Sequence, residues 1–520
     1  MSRILVRAVF AIVLLVALAA PAAAGPAGAA PTASVTNVQV NTVFNGPFPT
    51  NKQNEPSLVM DPNDPTHLVA GSNDEIQEPP CTNTDPSSCA FVPGVQTSGF
   101  YASFDAGKTW PCQGVVDLGG QRAQSDGDPQ QAFDSRGNVY YGQLTEPFPA
   151  TRPEANTGLA ADVFVAKSTD GGCTYASAAR VSGNAPAVFD DKDSLAADAN
   201  PNSPFRDNVY VAWSKFTGHG NAGSGNSFGS VQIVFSRSTD GGQTWSVPVP
   251  LSQAHNNNSV GGRQGTQIGV GPDGTVYVVW TDSVNKQSVE RLAISHDGGA
   301  KFDASRVIAS APSDFPAALP GASFRLSPTF PSLSVGSDGS VYVAWTNYLN
   351  GHGTVQLIHS TNGGVNWSTP ITAGDVPHRS AYFAAVTARP APGNVAIVFN
   401  ALDDKIAGTA PGAGVTSFDA YVARSTDFGQ TFEAPMRLST KSSDPDASST
   451  NGLTQQFLGD YVSAVSDSTH VYGIWTDTRN GSTCAAVDAF RALTGPRPNV
   501  ITQCPTTFGN SDIFLGTLTG

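Results

Sequence analysis

The chain carries little charge and few cysteine, histidine or methionine residues for its length. Only 13% of the 520 residues are charged, and 42 acidic against 28 basic side chains give a formal net charge of −14. A basic face that could neutralise nucleic-acid phosphates or attract anionic lipid is therefore not expected. The eight histidines lack metal-ligand spacing, and no C-x-x-C pair indicates zinc. We expect no nucleic-acid partner, no membrane insertion and a monomer.

Long apolar runs are missing from the sequence except near its start. Residues 8–20 are apolar, follow Arg3 and Arg7, and precede the small-residue sequence "PAAAG". The run is shorter than the roughly 20 residues of a membrane-spanning helix, and the pattern is that of a secretory signal peptide. We expect cleavage of residues 1–24 near Ala24, a flexible segment at 25–32, and secretion of the mature protein.

Glycine and proline, in contrast, are abundant, with 53 and 38 residues. Together with the low charge they favour a loop-rich all-β protein. The six cysteines of an exported chain are expected to pair. Cys81–Cys89 and Cys484–Cys504 would each close one loop, and Cys112–Cys173 would join two neighbouring repeats. Six cysteines allow 15 connectivities, so other pairings stay open.

One short sequence recurs along the chain. Residues 238–245 read "STDGGQTW". Similar sequences begin at Ser103, Ser168, Ser295, Ser360 and Ser425. Strand-like apolar segments such as "NVYVAWSK" at 208–215 occur seven times, each preceded by another short strand. The repeating unit is therefore strand A, turn, strand B, variable loop, strand C, repeated loop and strand D.

β-Meanders repeated at this spacing are typical of propeller blades. The seventh unit has strands A and B and a C strand at 512–520, but no D strand. The β-rich segment at 33–43 precedes the first A strand and has no partner of its own. The sequence therefore predicts an all-β, seven-bladed β-propeller in a single domain of residues 33–520. The N-terminal strand would close the ring within the last blade.

The repeated loop resembles the Asp-box, or bacterial neuraminidase repeat, of sialidase-like propellers. The resemblance implies that each copy forms the turn between strands C and D. Asp240 can accept hydrogen bonds from the backbone of its own turn, and Asn362 takes its place in the fifth copy. A catalytic carboxylate would not occur in six copies or tolerate an amide. We therefore predict a structural role for these loops.

The candidate site lies instead in the segments that lead into the A strands. Carboxylates precede the strand in blades one, two, three and seven, and arginines precede it in blades four to six. The predicted catalytic residues are Glu55, Asp128, Asp193 (with Asp191 as its alternative in blade three) and Asp460. The predicted substrate-binding residues are Arg263, Arg325, Arg379 and Tyr461. Arginine binds carboxylate bidentately, and crowded acids raise each other's pKa. Alternatively, these groups form structural ion pairs.

The resemblance implies a secreted glycoside hydrolase acting on acidic glycans, but the sequence departs from true sialidases. "NEPSL" at 54–58 replaces the family's R-I-P signature, and the B segments end in "WTD" or "WTN" rather than arginine. A non-catalytic glycan- or protein-binding propeller and a purely structural repeat protein remain alternatives.

Calcium is the one cofactor considered. "DANPN" from Asp198, near Asp207, offers oxygen ligands. The same residues are typical of an ordinary turn, and the channel carboxylates are another place for a metal.

Overall fold

The computed structural model describes residues 33–42, 46–81, 92, 94–118, 123–147, 161–183, 188–219, 228–254, 264–285, 287–311, 330–403 and 417–520. The predicted signal peptide and the segment at 25–32 lie outside these residues. Cys89, Arg263 and Arg325 also lie outside them.

The described strands form seven antiparallel sheets, and each sheet is one blade of a β-propeller, as predicted. Blades one to four use β2 (Gln53–Asp61), β3 (Asp64–Asp74), β4 (Ser98–Ser103), β5 (Cys112–Val115); β6 (Ala123–Ser125), β7 (Gln130–Phe133), β8 (Val139–Pro147), β9 (Asp162–Ser168), β10 (Ser177–Arg180); β11 (Val188–Ala197), β12 (Val209–His219), β13 (Phe228–Ser238), β14 (Val249–Pro250); and β15 (Gln264–Val270), β16 (Val276–Val284), β17 (Gln287–Ser295), β18 (Arg306–Ala311). Blades five to seven use β19 (Ser332–Val335), β20 (Val341–Leu349), β21 (His352–Ser360), β22 (Ile371–Gly374); β23 (Arg379–Ala388), β24 (Val395–Asp403), β25 (Phe418–Ser425), β26 (Met436–Arg437); and β27 (Ser463–Ser466), β28 (His470–Asp477), β29 (Asp512–Thr519) with β1 (Ser34–Gln39). In blade two the A strand is split into β6 and β7, and both pair with β8.

The core lies between neighbouring blades. The B strands are rich in β-branched and aromatic residues, and these are buried because each sheet is covered by the next one. In blade seven, Trp475 is fully buried, and its indole N–H donates to Asp477 Oδ2 at 2.8 Å. Trp345 donates to Asn347 in the same way, at 3.0 Å. In blades five and seven the buried tryptophan thus bonds the residue two positions later, whereas the indole N–H of Trp280 in blade four has no hydrogen-bond partner among the described residues.

The predicted ring closure is confirmed. β1 pairs with β29 along its whole length, from Ser34 opposite Thr519 to Gln39 opposite Phe514. Asn41 extends this closure, because its amide donates to Asp512 Oδ1 at 2.9 Å and its carbonyl accepts the backbone N–H of Ile513 at 2.8 Å. The first described strand therefore supplies the D strand that the seventh repeat lacks.

Two of the predicted disulfides are present. Cys112–Cys173 links strand D of blade one to the repeated loop of blade two. Cys484–Cys504 closes the long B–C loop of blade seven, which contains the helices α1 (Ala485–Arg491) and α2 (Val500–Gln503). Cys81 is buried, while its predicted partner Cys89 lies outside the described residues. Among the described helices, none has the length and apolar character needed to cross a membrane.

The six repeated loops form the C–D turns. In the third copy, Asp240 Oδ1 accepts the backbone N–H groups of Gln243 and Thr244 at 3.1 and 2.9 Å. Ser238 Oγ accepts the N–H of Gly242 at 2.9 Å. These turns lie at the opposite end of the strands from the B–C loops that carry Cys81 and the Cys484–Cys504 disulfide. These hydrogen bonds lie within the turn, and Lys167 Nζ of blade two also donates to Gly241 O at 3.2 Å. The loops therefore stabilise the blades and join neighbouring ones.

We expect Asp240→Ala to lower the free energy of unfolding by about 1 kcal/mol, because two backbone donors lose their acceptor. The effect stays modest since Asp240 is exposed and water can replace the carboxylate. Asp240→Asn is the matched control. Asn362 already occupies this position in the fifth turn and accepts the N–H of Asn366 at 2.9 Å. Urea denaturation would measure both variants, and an alanine variant as stable as the wild type would contradict the structural role.

A buried carboxyl in blade three gives stability an expected pH dependence. Asp190 accepts the indole N–H of Trp213 at 2.8 Å, and burial raises the pKa of Asp190 to about 7. The folded state holds this proton more tightly than the unfolded chain does. The contribution of Asp190 to the free energy of unfolding is therefore greatest below about pH 4 and falls as pH rises to about 7. The pKa of Asp190 differs by about three units between the two states, at about 1.4 kcal/mol per unit, so the expected loss is up to about 4 kcal/mol. Asp190→Asn keeps the acceptor for Trp213 and should remove this part of the pH dependence of the melting temperature. Identical pH profiles for the two proteins would contradict the expectation.

Candidate functional site

Seven equivalent positions, one from each blade, come together where the A strands enter the central channel. The positions are matched through the pairing of strands A and B. In blade one, Ser57 of strand A pairs with Gly71, the fifth residue of the strand-B repeat, and the matched position is two residues before Ser57, at Glu55. In blade five, Ser332 pairs with Ala344, and the matched position is Phe330. We call these seven residues the channel ring. In blade order they are Glu55, Asp128, Lys192, Gly265, Phe330, Phe383 and Tyr461. The ring combines two carboxyl groups, one ammonium group and three aromatic rings.

Interruptions of the A strands turn these side chains inward. The A–B pairing shifts register in blades one, three, four and six at the ring position. Glu55, Asp128, Lys192 and Phe383 have φ angles of 56°, 50°, 53° and 51°. Non-glycine residues in the left-handed region each cost about 1–3 kcal/mol and cluster at functional sites. Four of them at one level of the channel mark this level as the candidate site.

Glu55 and Asp128 form a carboxyl pair. Glu55 is 3% exposed and shares a hydrogen bond with Asp128. Asn73 holds both residues, because its amide donates to Glu55 Oε2 at 2.9 Å and its carbonyl accepts the backbone N–H of Asp128 at 2.9 Å. Burial, followed by the charges of Asp128 and Asp460, raises the pKa of Glu55 well above its ordinary value. These interactions favour the protonated form of Glu55.

Asp193 lies behind this pair. Its side chain is fully buried, and neither oxygen has a hydrogen-bond partner among the described residues. A Cβ built on Gly142 would lie 2.7 Å from Asp193 Oδ2, so the carboxyl packs closely against the B strand of blade two. Burial, followed by the charge of Asp128, raises the pKa of Asp193 well above its ordinary value. Asp193 thus adjoins the predicted cluster, and, like Glu55 and Asp128, it is not among the residues that line the cavity of about 190 Å³ in the channel.

Lys192 reaches across the channel to blade seven. Its Nζ lies 3.2 Å from the ring centroid of Tyr461 and 5.5 Å from that of Phe330. Both are cation–π contacts, which strengthen when the cation is desolvated. Lys192 is 3% exposed, and Nζ has no hydrogen-bond acceptor within the described ranges. A single buried ammonium group therefore faces the carboxyl pair.

Tyr461 and Asp460 both interact with the carboxyl cluster. Burial, followed by the charges of Asp128 and Glu55, raises the pKa of Tyr461, and Asp460 also contributes. In a regular strand, the neighbouring residues Asp460 and Tyr461 would point to opposite sides. That rule does not apply here, because β27 begins only at Ser463 and residues 460–462 are irregular. The Tyr461 hydroxyl is buried without a partner in the described structure.

The predicted arginines do not join this cluster as far as the described residues show. Arg379 Nη1 lies 3.1 Å from Asp419 Oδ2, within its own blade, and also donates to Ser417. Phe383, four residues later, occupies the ring position of blade six. Arg263 and Arg325 lie outside the described residues. Among those that are described, Lys192 is the cation that faces the carboxyl groups.

A cavity of about 190 Å³ lies in the channel beside the ring. Lys192, Phe330, Phe383, Asp460 and Tyr461 contribute to its lining. The remaining lining includes hydroxyl and amide side chains of the A strands. The cavity therefore offers charged, polar and aromatic groups within one small volume, a combination that suits a small polar ligand.

The described residues offer no group of three or more His, Cys, Asp or Glu side chains arranged to hold a metal. At the calcium candidate, Asp198 accepts the Ser203 hydroxyl and the backbone N–H of Asn200. Asp207 pairs with Arg136 at 3.0 Å. These contacts are those of an ordinary turn between strands A and B.

Sequence reasoning missed Lys192, Asn73, Phe330 and Phe383. Lys192 stands between the two aspartates that were selected in blade three. Aligning the seven A strands by their register against strand B, rather than by their apolar positions, identifies Lys192, Phe330 and Phe383. We found no sequence signal that singles out Asn73.

No protein-family model matches the sequence, and no curated protein matches it significantly. Similar solved structures include the Hadza microbial sialidase Hz136, with 15% identity over 74% of this chain and 71% of that chain, at a TM-score of 0.41. The NanB sialidase from Streptococcus pneumoniae has 11% identity over 70% of this chain and 67% of that chain, at a TM-score of 0.44. The Penicillium chrysogenum alpha-L-arabinanase has 15% identity over 70% of this chain and 94% of that chain, at a TM-score of 0.42. Values this low say nothing about activity, and the propeller assignment rests on the strand pairing described above.

Proposed function

We propose that this protein is a glycoside hydrolase-like propeller that processes a glycan at the channel mouth. The observation that carries the proposal is the Glu55–Asp128 pair, a buried carboxyl group hydrogen-bonded to a second carboxyl group on strained backbone. A carboxyl group whose pKa is raised by burial and by neighbouring carboxylates can act as a general acid. The predicted signal peptide adds that this chemistry takes place outside the cell.

In the proposed reaction, Glu55 donates its proton to the glycosidic oxygen as the bond from that oxygen to the anomeric carbon breaks. Asp128 holds the proton in place between turnovers. Two-carboxylate glycosidases place their acid and their second carboxylate at least about 5 Å apart, so Asp128, in direct contact with Glu55, does not suit the second role. Asp460, which lines the cavity, is the candidate base that takes a proton from the attacking water.

The test is a panel of chromogenic glycosides, neutral and acidic and including a sialoside, combined with a glycan array. The proposal expects hydrolysis of at least one glycoside by the wild-type protein. Binding on the array without hydrolysis would favour a glycan-binding propeller, a second candidate supported by the three aromatic rings in the cavity lining. A protein that neither binds nor hydrolyses any of these glycans would defeat both.

The predicted acidic glycan stays within this proposal as a prediction. The sequence predicts Arg263, Arg325 and Arg379 as the cations that bind a sugar carboxylate. Of these, the described Arg379 is paired with Asp419. The acidic glycosides in the panel test this point directly. If only the acidic glycosides were hydrolysed, that result would support the predicted arginines as the groups that select the substrate.

A further inference from the structure

Lys192 is the most unusual polar group in the channel. Its ammonium group is buried, lines the cavity of about 190 Å³, and has no hydrogen-bond acceptor in the described part of the chain. The contact at 3.2 Å with the Tyr461 ring stabilises the charge but leaves N–H groups without acceptors. Buried donors without acceptors are unfavourable. An oxygen atom in the cavity would relieve this cost.

The charges around Lys192 decide which kind of oxygen that is. Glu55 of blade one and Asp193 of its own strand interact with Lys192 through their charges. Asp128 of blade two interacts with both of these carboxyl groups, and Asp191 interacts with Asp193. Asp460 lines the same cavity from blade seven. An anionic group placed here would meet these carboxyl groups as well as the single ammonium group. A neutral oxygen accepts from the ammonium group without that repulsion.

We propose that Lys192 is a specificity-determining residue, donating a hydrogen bond to a neutral hydroxyl oxygen of a sugar ring bound in the cavity. The proton of the same hydroxyl is accepted by the Asp460 carboxylate. The rings of Tyr461 and Phe330 lie beside the ammonium group and cover the apolar C–H face of the sugar. This subsite takes a neutral sugar unit, and its assignment as a substrate subsite rests on the proposed function.

The first experiment compares wild type, Lys192→Met and Lys192→Arg on a neutral glycoside that the panel identifies and on its monodeoxy analogues. Lys192→Met should lower kcat/KM by about 10- to 100-fold, the range for a hydrogen bond to a charged group. Removing the recognised hydroxyl should lower kcat/KM of the wild type by a similar factor and add no further loss in Lys192→Met. Additive losses at every position would overturn the proposal.

The second experiment does not depend on turnover. Crystals of the wild-type protein soaked in glycerol, a neutral triol small enough for the cavity, should show a hydroxyl oxygen within hydrogen-bond distance of Lys192 Nζ and Asp460. In crystals soaked in acetate, a water molecule should occupy this position. Acetate bound at Nζ, or water alone in both soaks, would overturn the proposal. Glycerol bound there in a protein that cleaves no glycoside would keep the subsite and reject the hydrolase.

Discussion

Glu55→Gln is expected to reduce turnover of a cleaved glycoside by about 10²- to 10⁴-fold, the contribution of a positioned general acid. Glutamine has the shape of the protonated acid and still accepts from Asn73, but it has no acidic proton to give. We expect the melting temperature to stay equal or rise, since glutamine is a neutral group of the same shape whose amide N–H can donate to Asp128 in place of the acid proton. Steady-state kinetics and thermal melting would measure the two effects.

The matched control is Glu433→Gln. Glu433 is an exposed carboxylate after the last repeated loop, paired with Arg424 at 2.8 Å and remote from the channel ring. It should leave kcat and KM unchanged. Asp128→Asn should lower kcat more than it raises KM, because it alters the partner that holds the acid rather than the groups that bind the sugar. A Glu55→Gln protein within threefold of wild-type activity would exclude Glu55 as the acid.

Removing residues 1–42 is expected to cost more than about 5 kcal/mol, which is comparable to the whole stability of many domains. The deletion takes away all six strand pairs between β1 and β29 and the fully buried side chain of Val40. It also leaves Asp512 without the amide of Asn41. The newly exposed edge of β29 would then be open to pairing between molecules.

A chain truncated before Ala33 is the matched control, since it keeps all of β1, and it should melt like the wild type. Circular dichroism and size-exclusion chromatography would follow both truncations. If the shorter chain fails to fold alone, a peptide of residues 33–42 added during refolding should restore monomer. A monomeric shorter chain with wild-type melting would show that β1 does not close the ring.

The blade count could be predicted because each blade repeats the same local pattern. A "WTD"-type B strand and a repeated C–D turn identify a blade without knowledge of its neighbours. The ring closure could also be predicted, because the seventh repeat lacks a D strand and the first strand lacks a partner. Placing the first strand in the seventh blade provides both. The two described disulfides agree with the expected pairs, although the sequence left other connectivities open.

The site was harder to predict because its geometry depends on backbone irregularities. Glu55 and Asp128 were found from their place before the A strand, and the structure does bring them together. Lys192 was overlooked because a bulge in blade three places it, rather than a neighbouring aspartate, at the ring position. Arg379 was selected by counting from apolar residues, and that count does not register the bulge that places Phe383 inward. A single sequence does not indicate which residues other than glycine have positive φ angles.

The channel ring also has a consequence for protein engineering. Each of its seven residues comes from a different blade. Phe383 packs against an apolar core cluster, and a Cβ at Gly265 would clash with the Phe330 ring, so these positions are constrained. Glu55, Asp128, Lys192 and Tyr461 belong to none of the apolar clusters and can be exchanged without altering them. Five of the positions, Gly265 among them, already have positive φ angles, and glycine or asparagine at the other four would relieve backbone strain. A combinatorial library over the codons of Glu55, Asp128, Lys192 and Tyr461 would therefore vary the chemistry of the channel while most of its members keep the fold. The propeller can be treated as a fixed frame that holds four exchangeable side chains.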